Sequence, residues 1–364
     1  MNILVNATAL NERGAFSLVK SLLVEINKSQ DFFIKSKLKL EFLVSRKELC
    51  EYENESVKVR FDDRYKKSFL EKWKFQNRFL PNYLKKENFQ ALLSLQNYVV
   101  NVPGIRTFAL IHQPIPFSNL SFFELEFSNW IKYNLLLKRI IIDQKKYING
   151  VIVQTEWMKS ALKKKFGYTC PIQIIRPPVG SIVNNTAPLD KNLKSMLDSS
   201  EIKLFYPTNN ERYKNNDRLI NAIMKYNELN SPKISLLITL EGNSNEFVKF
   251  IGKVSYDSIY NVYKNVDALI FPSMTETMGF PLLEAQQCGL SVLASDLPFA
   301  REICGLNALY FNPRDISSIV AQLVSFSKIY PGVNSGSEIF DAKNVGTYLD
   351  YFKFMLKDFK SNPL

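Results

Sequence analysis

Short apolar runs and longer amphipathic stretches alternate along the whole chain. Asn2-Ile-Leu-Val-Asn-Ala7 reads as a buried strand, a turn-rich loop with Asn11 and Gly14 follows, and Ala15–Ile26 has the periodicity of a helix. A strand, a tight loop and a helix open a parallel α/β unit. Further strand-like runs lie at Leu40–Val44, Ala91–Leu95, Phe108–Ile111 and Gly150–Val153, with helix-like stretches between them. The second half repeats the rhythm. Its strands fall at Ile202–Tyr206, Ile234–Leu240, Ala268–Phe271 and Ser291–Ala294, its helices at Asp217–Tyr226, Tyr256–Asn265 and Pro281–Cys288. Such alternation predicts parallel sheets covered on both faces. Pro177-Pro178 and Val183–Ser200 lack periodicity and read as the linker between two similar α/β domains. The expected division is 1–180, 181–342 and a C-terminal helix over 343–364 packing back on the first domain. Ligands of open parallel sheets lie at the carboxyl ends of the strands, so two such domains predict a cleft site.

Length and composition fit this picture. A chain of 364 residues with 46% apolar and 23% charged residues is neither disordered nor a single ordinary core. No stretch approaches 18 uncharged apolar residues, and residues 1–10 lack a basic leader, so a cytoplasmic protein is expected. One histidine, His112, excludes any site built on two. The four cysteines, Cys50, Cys170, Cys288 and Cys304, have no paired zinc-ligand spacing and are expected to be reduced and mostly buried. Charge is unevenly shared. The net charge is +12, yet the first 180 residues alone carry 29 Lys and Arg against 16 Asp and Glu. An excess of that kind suggests a polyanionic partner: nucleic acid, an anionic membrane face or a phosphorylated substrate.

The chemistry-bearing stretch is Phe271–Pro298, in which Glu276 and Glu284 are separated by seven residues that include Met278-Gly279-Phe280-Pro281. A strand ending at Phe271 would present Glu276 on a loop. A helix starting near Pro281 would aim its first amides, around Gly279 and Phe280, at an anion. Glu284 would then sit one turn in, placed to accept two ribose hydroxyls. Lys214, in the loop Asn209–Asn216, supplies a point charge suited to phosphate.

This stretch resembles the E-x7-E signature of retaining glycosyltransferases of the GT-B fold, glycosyltransferase family 4. Phe250-Ile-Gly-Lys-Val254, Asp296-Leu-Pro298 and Arg301–Gly305 resemble family segments around it. In the first half, Leu93–Asn97, Leu110–Pro116 and Val151–Trp157 resemble segments of the acceptor side. The resemblance implies an α/β fold of two Rossmann-like parallel-sheet domains facing a central cleft. It implies a UDP- or GDP-sugar donor, a glycan or lipid-linked oligosaccharide acceptor, and neither cofactor nor metal. Asp62-Asp63 does not make a D-x-D metal motif. By resemblance, Glu276, His112 and Lys214 serve the reaction. Glu284, Gly279, Phe280, Met278, Gly14 and Val254 contact the donor, with the base stacked near Val254. The family's arginine position is Asn209 here, and Arg212 is the candidate replacement; the glycine-rich family loop is reduced to Gly14.

Two aromatic and basic segments, Tyr65–Leu80 and Phe122–Tyr147, admit two readings. They form either an interfacial surface for anionic lipid heads or ordinary amphipathic helices with their apolar faces on the sheet. The first helix is expected to end before Pro81. A glycosyltransferase acting on a lipid-linked intermediate, peripherally held at the inner face of the cell membrane, accounts for the charge. A nucleic-acid-binding protein, or a phosphorylase or epimerase on the same scaffold, are the alternatives.

Overall fold

A computed structural model describes residues 1–11, 13–177, 182–184, 186–197, 201–330 and 346–361. The chain forms two compact units. The first contains Met1–Phe117, Asn134–Pro178 and Val345–Leu364; the second contains Ser118–Tyr133 and Val179–Asn344. The boundaries read from sequence at 180/181 and 342/343 fall outside the described residues. The segment Ser118–Tyr133, placed by sequence within the first domain, clusters with the second unit. One physical reason is a two-pronged ion pair: Arg314 donates from Nε to Glu124 Oε1 at 2.8 Å and from NH2 to Oε2 at 2.9 Å.

The first unit is built on seven parallel strands: β1 (Asn2–Asn6), β2 (Lys39–Val44), β3 (Val57–Phe61), β4 (Ala91–Ser94), β5 (Arg106–Leu110), β6 (Gly150–Val153) and β7 (Ile172–Ile174). Their order is β3-β2-β1-β4-β5-β6-β7. Central strands are buried on both sides, which is why they read as continuous apolar runs. β3 and β7 were missed by the sequence pattern because both are edge strands that keep only one face in the core. The helix Leu349–Ser361 completes this unit. Tyr351, Phe352 and Met355 are fully buried in one cluster with Ile3, Val5, Phe33 and Phe42. Arg106 and Asp358, 10% and 8% exposed, pair at 2.7 Å beneath that helix.

The second unit has six parallel strands: β8 (Ile202–Tyr206), β9 (Ile234–Ile238), β10 (Val248–Phe250), β11 (Ala268–Phe271), β12 (Ser291–Ser295) and β13 (Leu309–Phe311). Their order is β10-β9-β8-β11-β12-β13. In both sheets the order reverses beside the first strand, between β1 and β4 and between β8 and β11. Those are the topological switch points of two Rossmann-like sheets.

Three sequence expectations change. Lys191–Leu197 is helical within the presumed linker, because Leu193 and Leu197 stack one turn apart and bury; residues 178–181, 185 and 198–200 lie outside the described residues. A short helix, Arg64–Lys67, ends at the extended Ser68, and the helical stretch that Ser68 caps, beginning at Phe69, continues through Pro81 to Lys86. A π-type turn at Phe75–Phe79 precedes the proline, whose missing amide then falls within the first turn of the helix Leu80–Lys86, where it costs least. Of the four free cysteines only Cys304 is buried; the other three are half-buried.

Candidate active site

In the second unit, the loops after β8 and β11 leave the sheet side by side at its switch point. They bring Lys214 and Glu276 together: Lys214 Nζ lies 2.5 Å from Glu276 Oε1, with side chains 14% and 17% exposed. Ser273, fully buried, donates its hydroxyl to the same carboxylate oxygen at 2.6 Å. Two further bonds fix these loops, the first between them and the second within the one after β8. The Met274 amide donates to Tyr213 O at 2.8 Å, and Tyr206 Oη donates to Lys214 O at 2.7 Å. Asn215, at φ +65°, sends its side-chain amide to Pro272 O at 3.3 Å and Pro313 O at 2.7 Å, stapling three strand ends. Asparagine tolerates this left-handed backbone, so the Asn-Asn pair was the available signal.

Glu284 lies on the helix Phe280–Gln287, and its Oε2 accepts from Tyr263 Oη at 2.8 Å. Burial raises the Glu284 carboxyl above its ordinary range, and the Tyr263 bond acts against that rise. Gly279 caps the helix at φ +69°; a Cβ there would lie 3.1 Å from Leu282 Cδ1. The first amides of a helix have no intrahelical acceptor and carry the positive end of its dipole. Phe280 is 46% exposed at this end, whereas Met278 is buried and its side chain packs in the core.

The remaining candidates of this unit separate. Asn209 builds its own turn: Oδ1 accepts from the Glu211 amide at 3.1 Å and its carbonyl from Asn216 Nδ2 at 2.9 Å. Arg212 is exposed on the 3-10 turn Arg212–Lys214, and among the described residues it makes no ion pair. Arg218, which the sequence reading missed, is a second half-buried cation, on the first turn of the helix Asn216–Leu229 that follows this loop. It donates to Asn215 Oδ1 at 2.8 Å and lies 3.8 Å from Met274 Sδ. Val254 is half-buried in the loop that follows β10, at the same carboxyl edge of the sheet.

In the first unit, Asn97 after β4 adopts φ +71°, and its Oδ1 accepts the amides of His112 at 2.8 Å and Gln113 at 2.7 Å. Two of the segments singled out in the sequence, Leu93–Asn97 and Leu110–Pro116, thus meet through one side chain. Burial pushes the His112 imidazole down to about 4, so it is neutral at pH 7. Gly14 belongs to the first turn of the helix Arg13–Lys28 rather than to the preceding loop. The buried end of β1 is held instead by side chains. Gln96 Nε2 lies 2.7 Å from both Asn6 Oδ1 and Thr8 Oγ1, and Ser45 donates to Thr8 O at 2.8 Å.

Comparison with known proteins covers the site of the second unit. Residues 191–331, which include Lys214, Glu276 and Glu284, match the family model of glycosyl transferases group 1. The O-antigen chain mannosyltransferase RfbU of Salmonella typhimurium is 37% identical over 71 residues, 20% of either chain. The chain therefore spans a fifth of that relative's length. Among solved structures, sucrose-phosphate synthase from Thermosynechococcus elongatus matches with a TM-score of 0.69 at 11% identity, over 100% of both chains. Anabaena HepE in complex with UDP and glucose matches with a TM-score of 0.62 at 13% identity, over 99% of this chain and 100% of that one. These likenesses establish the fold, two parallel-sheet α/β units of the GT-B type.

Proposed function

We propose that this chain is a retaining glycosyltransferase that moves a sugar from a nucleotide diphosphate donor to a glycan acceptor. The observation that carries the reading is the Lys214–Glu276 pair, set at a topological switch point inside the matched segment. In the resting state Glu276 neutralises Lys214. A donor diphosphate takes over the lysine, and the carboxylate is released to hydroxyls of the transferred sugar. The helix beginning at Phe280 supplies amide hydrogens and a positive dipole end to the same phosphates. Glu284, oriented by Tyr263, accepts from the ribose. In the reaction the acceptor oxygen bonds to the anomeric carbon as the bond from that carbon to the phosphate oxygen breaks, on the same face. The acceptor's proton passes to the departing phosphate, whose charge Lys214 and the helix amides stabilise without reorganising. In this reading no metal takes part.

The O-antigen chain mannosyltransferase relative supports a hexose donor and a surface-polysaccharide acceptor; we take the acceptor to be lipid-linked and the carrier to be UDP or GDP. No helix among the described residues is long and apolar enough to cross a membrane. Phe122, Phe123, Phe127, Leu135 and Leu136 are more than half or half exposed in a segment that also carries Lys132 and Lys138. With the positive excess of the first 180 residues, they support peripheral attachment to an anionic inner leaflet from the cytoplasm. The test is incubation with UDP- and GDP-hexoses, with and without chelator, followed by assay of free nucleotide. Slow acceptor-independent release that survives chelation, and a product with the donor's anomeric configuration, are expected. Unchanged donors across the panel, or inversion, would overturn the reading.

A further inference from the structure

A second chemistry-bearing feature lies wholly in the first unit. Between the edge strand β3 and the helical stretches Arg64–Lys67 and Phe69–Lys86 is a cavity of about 530 Å³. Two rows of side chains run along it with helical spacing. Phe75, Phe79 and Tyr83 follow one another every four residues, and so do Arg78, Asn82 and Lys86 beside them.

The aromatic row is rigid. Phe75 and Phe79 lie 5.3 Å apart, Phe79 and Tyr83 are stacked at 5.3 Å, and Phe75 and Tyr83 are buried. Two arginines lie across it in fixed orientations. Arg64 sits 3.8 Å over the Phe79 ring and is gripped by Asp62, with Nε 3.0 Å from Oδ1. Arg60 sits 4.9 Å over the Tyr83 ring and donates to its hydroxyl at 3.0 Å, while Tyr83 in turn donates to Glu41. Held this way, guanidinium groups give up little side-chain freedom on meeting a ligand.

The charges are not balanced. Five cations line the cavity against Glu71 and Glu87; Lys74 is paired with Glu71 at 3.0 Å and Arg64 with Asp62, which leaves Arg60, Arg78 and Lys86. Arg78 and Lys86 are exposed and have no carboxylate partner among the described residues. Forked arginine donors with an ammonium and an amide alongside suit the oxygens of a phosphoryl group. The aromatic row suits the ring or chain that such a group is attached to, and the volume exceeds what a phosphate alone fills.

We infer that this cavity is a binding site for a terminal phosphate or diphosphate group borne by a larger molecule, separate from the donor site of the second unit. The phosphoryl oxygens are taken by Arg78, Asn82, Lys86 and the two stacked arginines. That chemistry is supplied either by a free phosphate ester or by a monoester lipid headgroup.

The test uses the full chain at 0.15 M salt. Glycerol 3-phosphate and pyrophosphate are titrated by calorimetry, and flotation is measured with vesicles containing phosphatidic acid or phosphatidylglycerol at equal surface charge. Arg78→Gln with Lys86→Gln is compared with Lys163→Gln with Lys164→Gln, an equal charge loss on an exposed helix away from the cavity. Binding of at least one probe is expected to weaken tenfold or more in the first variant and less than twofold in the second, with nucleotide affinity unchanged in both. Binding of the soluble probes identifies a free ester as the source; binding only to phosphatidic acid vesicles identifies the headgroup. Lys214→Ala is expected to do the reverse, weakening nucleotide and sparing the cavity probe, so each site fails independently. Should both charge-loss variants weaken binding equally, phosphatidylglycerol serve as well as phosphatidic acid, or no probe saturate, the inference is overturned.

Discussion

Glu276→Gln isolates what the resting ion pair does. It removes the charge opposite Lys214 while keeping a side-chain oxygen for the Ser273 hydroxyl. Exposed ion pairs contribute roughly 0.2–1 kcal/mol, and breaking a buried one costs about 3–5 kcal/mol. With side chains 14% and 17% exposed, this pair lies between those limits. Allowing for the solvent that still reaches it, we take about 1–1.5 kcal/mol as the part a diphosphate must overcome to claim Lys214. At about 1.4 kcal/mol per tenfold, the variant is expected to bind nucleoside diphosphate some five- to tenfold more tightly. The nucleoside, which offers Lys214 nothing, is expected to bind unchanged. Sugar transfer is expected to fall by two orders of magnitude or more, because the carboxylate that holds the sugar is gone. Calorimetry with diphosphate and nucleoside, alongside turnover under saturating donor, measures all three. A diphosphate affinity that drops threefold or more would show that Glu276 positions Lys214 for the ligand rather than competing with it.

Other outcomes follow from the same geometry. Glu284→Ala is expected to weaken nucleotide binding by about 1.5–3 kcal/mol per lost ribose hydrogen bond. It also strands the buried Tyr263 hydroxyl, so chemical denaturation should show a loss of about 1–3 kcal/mol, which Glu284→Gln largely restores. His112 stays neutral in the fold down to about 4 while the unfolded chain takes up a proton near pH 6.5. Its contribution to stability is therefore full above pH 6.5 and drains away as pH falls toward 4, by roughly 1–3 kcal/mol. His112→Gln should flatten that slope in urea melts at pH 7 and 5, and an unchanged slope would place the acid sensitivity elsewhere. Asp358→Ala leaves Arg106 charged and unpaired under the C-terminal helix. A loss of about 3–5 kcal/mol is expected, with hydrogen exchange speeding in Leu349–Ser361 while the second unit stays protected.

Much of this arrangement can be read from the linear pattern. β8 and β11 carry short apolar runs bounded by turn residues, and the loops that follow them hold the two residues singled out in the sequence, Lys214 and Glu276. What escapes the pattern is contact between distant residues. Tyr263 lies 21 residues from Glu284 on a different helix, and nothing in either neighbourhood announces the bond. Ser273 is close in sequence to Glu276, yet a serine after a strand is commonplace. Asn209, where the resemblance leads one to expect an arginine, is consumed by its own turn, which its neighbours in sequence do not announce. The aromatic segment around Trp73 has two faces that the linear pattern does not separate. Phe75, Leu80, Tyr83 and Leu84 bury against the sheet, while Leu70 and Trp73 remain exposed.

The helix Leu349–Ser361 has a consequence in time. Its Tyr351, Phe352 and Met355 fill the core that β1 and β2 begin, so the first unit needs residues made after those of the second. At roughly 5–20 residues/s, synthesis from Pro178 to Ser361 takes roughly 10–40 s. Throughout that interval the nascent sheet carries an open apolar face, while the second unit, apart from its early segment Ser118–Tyr133, is drawn from chain emerging in one piece. Birth order and completion order are thus inverted between the two units: the one begun earlier cannot close its core until the chain of the other has been made.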